Sequence, residues 1–128
     1  MILDSSAVVA VLQEELGHEE LEQKMRGADV LGIGTPTLVE TGVVVLRASG
    51  ERGRAALSRF LLHLGVVVIP FEQSHWEAAV DGFVRFGKGR HPAALNYGDC
   101  MTYATARIAE KPLLFIGNDF AQTDVEAA

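Results

Sequence analysis

The sequence has little cysteine, little basic charge and no long apolar run, and each shortage excludes a class of protein. Its single cysteine excludes an internal disulfide framework and a multi-cysteine zinc site, and it fits a reducing cytoplasm, where we place the protein. No apolar run approaches the ~20 residues of a membrane span, and the N-terminus lacks the basic start of a signal peptide. The net charge is −6, so binding of nucleic acid would require a local basic patch or a metal ion.

The chain does contain the apolar residues of a single α/β domain over residues 1–128. Hydrophobic residues make up 48 % of the sequence, which excludes a disordered chain. Short apolar runs predict four strands, near residues 1–3, 29–34, 66–69 and 113–116. Helical patterns lie between them, over residues 7–12, 18–26, 36–48, 54–64, 74–86 and 97–110. Buried strands separated by helices predict a central parallel sheet covered on both faces.

Capping residues predict where four of these helices begin. The predicted caps are Ser5 or Ser6, Thr35 before Pro36, Ser74, and Asn96. The segment after Pro36 is ambiguous because the β-branched run Val43–Leu46 favours a strand. We interpret it as a helix, since its start signal is strong and the stretch is long for one strand.

Four acidic residues fall where a parallel sheet would bring them together. Asp4 directly follows the first strand, and Asp119 follows the last strand after two residues. Glu40 lies one turn inside its helix and can point back to the same edge, because helix side chains tilt toward the N-terminus. Asp99 lies in the first turn of the helix capped by Asn96. Sites in such sheets form beyond the carboxyl ends of the strands, so we expect these four carboxylates to converge there.

Each acid also has a purely structural explanation when it is taken alone. Asp4 can be a helix N-cap, and Glu40 can be a solvent-exposed side chain. Asp99 can complete a capping pair with Asn96, and Asp119 can be a turn residue. The four explanations together are less convincing, because one edge of the sheet must host all four acids.

A cluster of carboxylates predicts a bound cation. Two unit charges ~4 Å apart repel by roughly 1 kcal/mol in water and by several times more at partly buried sites, so either some acids are protonated or a cation is bound. An all-oxygen site suits Mg²⁺ or Mn²⁺. A metal held there could polarise a phosphate and activate water for phosphodiester hydrolysis. Asp124, five residues after Asp119, is a possible fifth ligand.

Basic residues near Asp99 could hold a phosphate backbone beside the acids. This candidate substrate-binding stretch contains Arg85, Lys88, Arg90 and His91, and a second basic stretch contains Arg47, Arg52, Arg54 and Arg59. Each stretch can equally be a solvated face of the protein.

Four segments carry the acids in a fixed order. They are MILDSSA around Asp4, TPTLVE ending at Glu40, GKGRHPAALNYGDC containing Asp99, and LLFIGNDFAQTD containing Asp119 and Asp124. In this order they resemble a PIN-domain ribonuclease of the VapC toxin type, and the resemblance covers essentially the whole chain. It implies a PIN-like α/β/α sandwich.

The resemblance also implies an activity, a cofactor and partners. The activity is Mg²⁺- or Mn²⁺-dependent endonucleolytic cleavage of RNA, which arrests growth. The partners are a second copy of the chain and a VapB-type antitoxin that occupies the active site. The implied catalytic and metal-binding acids are Asp4, Glu40, Asp99 and Asp119, with Asp124 as a further metal ligand. Ser6 matches a small hydroxyl residue near the first acid and is a further candidate for substrate binding, whereas Gly117 departs from the Ser or Thr of many PIN domains.

Two other classes of protein remain as alternatives. A receiver-like phospho-acceptor module would need an Asp after its third strand and a Lys after its last strand. Here Phe71 and Glu72 follow the third strand, and Lys111 precedes the last one. A catalytically silent PIN-fold module that acts only through a protein partner would show no loss of function when one acid is mutated.

Overall fold

A four-stranded parallel sheet forms the centre of the protein in a computed structural model that describes residues 1–128. The strands are β1 (Ile2–Leu3), β2 (Gly32–Gly34), β3 (Val67–Ile69) and β4 (Leu113–Leu114). Their order is β3-β2-β1-β4, and every neighbouring pair is parallel. Ile2 lies opposite both Gly32 and Leu113, so β1 is the inner strand next to β4. The predicted parallel sheet is confirmed.

Six helices connect and follow these strands. They are α1 (Ser5–Leu12), α2 (His18–Gly27), α3 (Thr35–Ser49), α4 (Glu51–Leu64), α5 (Gln73–Phe86) and α6 (Tyr97–Ala109). The ambiguous run Val43–Leu46 is helical, as expected, and it buries only Val45 deeply. None of the helices is long and apolar enough to span a membrane.

Three of the four predicted helix caps are wrong by one or two residues. Asp4 caps α1 instead of Ser5 or Ser6, because its carboxylate accepts a hydrogen bond from the Ser6 N–H at 3.1 Å. Gly34 precedes α3, while the Thr35 hydroxyl donates to the carbonyl of Ile69. The cap of α5 is Glu72 instead of Ser74. The Asn96 cap of α6 is confirmed, since its side chain accepts from the Asp99 N–H at 2.9 Å.

The core is divided between the two faces of the sheet. Successive strand residues point to opposite faces, so Ile2 and Leu113 pack in one cluster and Leu3 and Leu114 in the other. Residues of α5 and α6 cover the first face, and residues of α1 to α4 cover the second. This arrangement is the predicted α/β/α sandwich.

The last strand is shorter than predicted, which affects the candidate site. Pairing in β4 ends at Leu114, and the Ile116 N–H donates instead to the hydroxyl of Ser6 at 3.0 Å. The chain after β4 therefore runs beside the start of α1. We call residues 115–128 the C-terminal segment.

Candidate active site

Asp4 is the most deeply buried of the predicted acids. The residue is 6 % exposed, and its carboxylate accepts hydrogen bonds from the Ser6 N–H, from the Ser6 hydroxyl at 2.6 Å and from the Thr102 hydroxyl at 3.0 Å. The buried Thr102 hydroxyl also lies 2.8 Å from that of Thr37. These donors fix the orientation of the Asp4 carboxylate. The sequence reasoning missed Thr102, whose only signal is a polar residue on a buried helix face.

Ser6 was predicted to bind substrate, but its hydroxyl already has two partners within the chain. It donates to Asp4 and accepts from the N–H of Ile116. Ser6 therefore connects the first acid to the C-terminal segment.

Glu40 approaches the start of α6. It is exposed on α3, and its Oε1 accepts a hydrogen bond from the Ser5 hydroxyl at 2.6 Å. A Cβ atom at Gly98 would overlap Oε2 of Glu40. The absence of a side chain at Gly98 thus lets this carboxylate lie directly beside the residue that precedes Asp99.

Asp99 is both a capping residue and a member of the acidic cluster. Its carboxylate accepts from the Asn96 N–H at 3.0 Å, which completes a reciprocal capping pair. The pKa of Asp99 is raised to about 6, chiefly by burial and further by the charges of three other acids, while the bond from the Asn96 N–H acts in the opposite direction. These acids are Asp119, Asp4 and Glu40. The structure thus brings the four predicted acids, our acidic cluster, to one end of the sheet.

Asp119 is exposed, and its side chain is the least constrained in the acidic cluster. It immediately precedes a 3₁₀ turn over Phe120–Gln122 and makes no capping bond with its side chain. Two residues earlier, Gly117 has a φ of 97°, a conformation that strains Ser or Thr. The departure from the family pattern at Gly117 therefore fits the local backbone.

Asp124 lies apart from the acidic cluster. Its carboxylate accepts from the Tyr103 hydroxyl at 2.9 Å and pairs with Arg85 at 3.1 Å and Arg107 at 3.6 Å. Burial alone would raise the pKa of Asp124, but these three partners lower it below its ordinary value. Asp124 is also absent from the acids that raise the pKa of Asp99.

The predicted basic stretch lies next to the start of α6. The Lys88 N–H donates to the carbonyl of Leu95, which directly precedes the Asn96 cap. Lys88 and Arg90 are exposed, and the Arg90 guanidinium lies 5.7 Å from the centre of the Phe83 ring. His91 is used within the loop, because its Nδ1 accepts from the N–H of Ala93.

The donor chemistry of the acidic cluster fits a hard divalent cation, although the side chains do not form a closed shell. As they stand, no three His, Cys, Asp or Glu side chains are placed to hold one metal ion. Asp4, Glu40 and Asp99 instead bond to neighbours in their own chain. All the candidate ligands are oxygens, and their mutual repulsion is not offset by any basic side chain bonded to them.

Comparison with known sequences shows first the type of domain and then the protein family to which the chain belongs. The profile described as PIN domain matches residues 1–126, so the sheet and the acids at its end define a PIN domain. Ribonuclease VapC36 of Mycobacterium tuberculosis is 45 % identical over 127 residues, which cover 98 % of this chain and 91 % of that protein. The protein therefore belongs to the VapC ribonucleases, a family of PIN-domain proteins.

Solved structures show the same fold. The crystal structure of VapC20 of Mycobacterium tuberculosis, described as a sarcin-ricin loop cleaving toxin, has a TM-score of 0.81 at 19 % identity, over 99 % of this chain and 97 % of that one. VapBC2 from Rickettsia felis, bound to a DNA fragment from its promoter, gives 0.78 at 12 % identity, over 99 % and 96 %. The predicted PIN-like fold is confirmed.

The raised pKa of Asp99 predicts that removing its charge stabilises the fold in a pH-dependent way. The Asp99 carboxyl has a pKa of about 6 in the folded protein and 3.8 in the unfolded chain. Its charged form therefore destabilises the folded state at high pH, and this destabilisation disappears as the pH falls from about 6 to 3.8. In metal-free buffer, Asp99→Asn should raise the melting temperature by several degrees (~2–5 °C) at pH 7.5 and much less at pH 4.5.

The control is Glu20→Gln, which removes the same charge from an exposed position on α2. Thermal melts of the three proteins at both pH values make the comparison. Equal stabilisation by Asp99→Asn at both values, or stabilisation no larger than that of Glu20→Gln, would contradict the assignment.

Proposed function

We propose that the protein is the endoribonuclease toxin of a toxin–antitoxin pair and that its acidic cluster binds Mg²⁺ or Mn²⁺ to hydrolyse RNA phosphodiester bonds. The observation that carries this proposal is the meeting of four carboxylates at one end of the sheet, where Glu40 lies directly beside Gly98 and partial burial together with the neighbouring charges raises the pKa of Asp99. The names of the relatives support the reaction class, since VapC36 is called a ribonuclease and VapC20 a toxin.

The members of the acidic cluster have different roles in this proposal. Asp4 and Asp99 are the main ligands, direct or through water, because they are the buried and the partly buried member. Glu40 and Asp119 are exposed, and they complete the shell or orient the attacking water. A bound cation would polarise the phosphate, lower the pKa of a coordinated water and stabilise the leaving oxygen.

The chain prepares Asp4 and Asp99 for this role in different ways. Ser6 and Thr102 donate to Asp4 and hold its carboxylate in place before any ligand arrives. Asp99 holds its proton more tightly than an ordinary aspartic acid, because its pKa is raised to about 6, and it gives the proton up when a positive charge offsets the neighbouring acids. Cation binding near or slightly below pH 6 would therefore release a proton.

The exposed basic residues beside α6 are the proposed contacts for RNA. Lys88 and Arg90 are free to meet phosphates, and a local patch is what an otherwise acidic chain requires. His91 adds a ring to the same loop, packed edge-on against Phe86. Ser6 contributes indirectly, by positioning Asp4.

Cleavage of RNA by the purified protein tests this proposal. We expect activity that requires Mg²⁺ or Mn²⁺, disappears in EDTA, and falls by more than about 100-fold in Asp4→Asn and Asp99→Asn, since loss of a metal ligand exceeds the 10–100-fold effect of its outer partners. Thr102→Val should cost about tenfold, because it removes a donor to Asp4 while keeping the side chain's shape.

A matched control for Thr102→Val is Thr105→Val. Thr105 is another buried threonine of α6, but its hydroxyl donates to the carbonyl of Met101 and touches no acid. Cleavage that persists in EDTA or in Asp99→Asn would contradict the proposal. A native protein that neither cleaves RNA nor binds Mn²⁺ would instead be the silent module that acts only through a protein partner.

We further propose two protein partners, a VapB-type antitoxin and a second copy of the chain. The structural neighbour from Rickettsia felis is described as VapBC2, a name that pairs VapB with VapC, which supports the first partner. The second is supported by a row of apolar side chains on α5. Trp76, Val80 and Val84 recur every fourth residue and are 53 %, 54 % and 52 % exposed. An apolar helix face in water is typical of an interface.

This row borders an apolar cleft of about 440 Å³ between α5 and the start of α6. Val80→Asp should convert a dimer into a monomer, because it places a charge in the centre of the apolar row. Size-exclusion chromatography with light scattering measures the mass directly. Val30→Asp is the control, since Val30 is similarly exposed, at 61 %, but lies outside this helix. A native monomer, or a Val80→Asp dimer, would contradict a dimer through α5.

A further inference from the structure

A closed group of four side chains joins α5, α6 and the C-terminal segment. Arg85 comes from α5, Tyr103 and Arg107 from α6, and Asp124 from the C-terminal segment. Arg85 contacts both Asp124, at 3.1 Å, and the Tyr103 hydroxyl, at 3.2 Å. Tyr103 and Arg107 also contact Asp124. We call this group the Asp124 network.

Tyr103 gives the Asp124 network a rigid base. Its side chain is 1 % exposed and packs against the ring of Phe86. A Cβ atom at Gly82 would lie 2.5 Å from the ring, so α5 and α6 approach closely at this point. Burial, together with the bond to Asp124, raises the pKa of Tyr103 to about 12, so its hydroxyl remains a donor at neutral pH.

The Asp124 network lies between two anchored parts of the C-terminal segment. On one side, Leu113 exchanges backbone hydrogen bonds with residues 126 and 128, at 2.8 and 2.9 Å. On the other side, the Thr123 hydroxyl donates to the carbonyl of Phe120, whose ring is buried against Phe115. Asp119 directly precedes this second part and has no capping bond of its own.

We propose that Asp124 is a positioning residue, which through Tyr103, Arg85 and Arg107 fixes the turn that carries Asp119, and that it is not a metal ligand. Its two carboxylate oxygens already face a hydroxyl and two guanidinium groups, which a cation would have to displace. Asp119, by contrast, depends on its backbone for its place beside Asp99. The claim about Asp119 rests on the proposed metal-dependent function.

Two variants remove different parts of the Asp124 network. Asp124→Asn removes its negative charge, and Tyr103→Phe removes one hydroxyl while the ring stays packed. If the network holds the turn, both variants should speed amide hydrogen exchange in residues 117–125 by about tenfold, since bonds to a charged group are being lost. Both should also weaken Mn²⁺ binding, measured by calorimetry, by about tenfold.

The matched control is Asp81→Asn. Asp81 faces the same Arg85, at 3.9 Å, but it is 64 % exposed and does not contact the C-terminal segment. This variant should leave both hydrogen exchange in residues 117–125 and Mn²⁺ affinity unchanged.

Three results would overturn the proposal. Unchanged exchange in both network variants would show that the network does not hold the turn. Faster exchange with unchanged Mn²⁺ affinity would show a purely structural role. Loss of Mn²⁺ binding in Asp124→Asn but not in Tyr103→Phe would make Asp124 a ligand. If the native protein binds no Mn²⁺, the proposed metal-dependent function fails, and with it the claim that Asp124 positions a metal ligand. The hydrogen-exchange rates of residues 117–125 would still decide whether the Asp124 network holds the turn.

Discussion

Mutual repulsion among four carboxylates is the constraint on which this end of the molecule depends. The charge of Asp99 is opposed by partial burial and by Asp119, Asp4 and Glu40. The fold tolerates these charges because Asp4 caps α1 and Asp99 lies in the first turn of α6, where unpaired N–H groups favour negative charge. The capping roles and the acidic cluster are therefore complementary, and the structural explanations of Asp4 and Asp99 do not compete with a functional one.

Contacts between distant segments hold the acidic cluster together. Thr102 joins α6 to Asp4, and Ser6 joins α1 to the chain after β4. Ser5 reaches Glu40 on α3, where the missing side chain of Gly98 leaves space for the carboxylate. Most of these partners are small hydroxyl residues, which donate to carboxylates without adding charge. The result is a pre-organised set of oxygens in which repulsion is reduced by hydrogen bonds but not neutralised.

The sequence was sufficient to predict the parallel sheet, the six helices and the end of the sheet where the acids meet, because these follow from apolar periodicity and chain order. The capping pair of Asn96 and Asp99 was also predictable, since it is local. Contacts between residues far apart in the sequence could not be predicted from it. Thr102 bonds to Asp4 across 98 positions, and Tyr103 bonds to Asp124 across 21 positions. The cap of α1 was assigned to Ser5 or Ser6, but the carboxylate of Asp4 accepts the hydrogen bond from the Ser6 N–H instead.

The most direct test of the account is the titration of the Asp99 carboxyl group by carbon-13 NMR, with and without Mg²⁺. The account predicts a pKa of about 6 in metal-free buffer and a lower pKa with Mg²⁺, because a bound cation favours the ionised form. A metal-free pKa at the ordinary value of 3.8 would show that neither burial nor the neighbouring acids oppose the charge of Asp99. A raised pKa that does not respond to Mg²⁺ would show that the acidic cluster does not bind the cation.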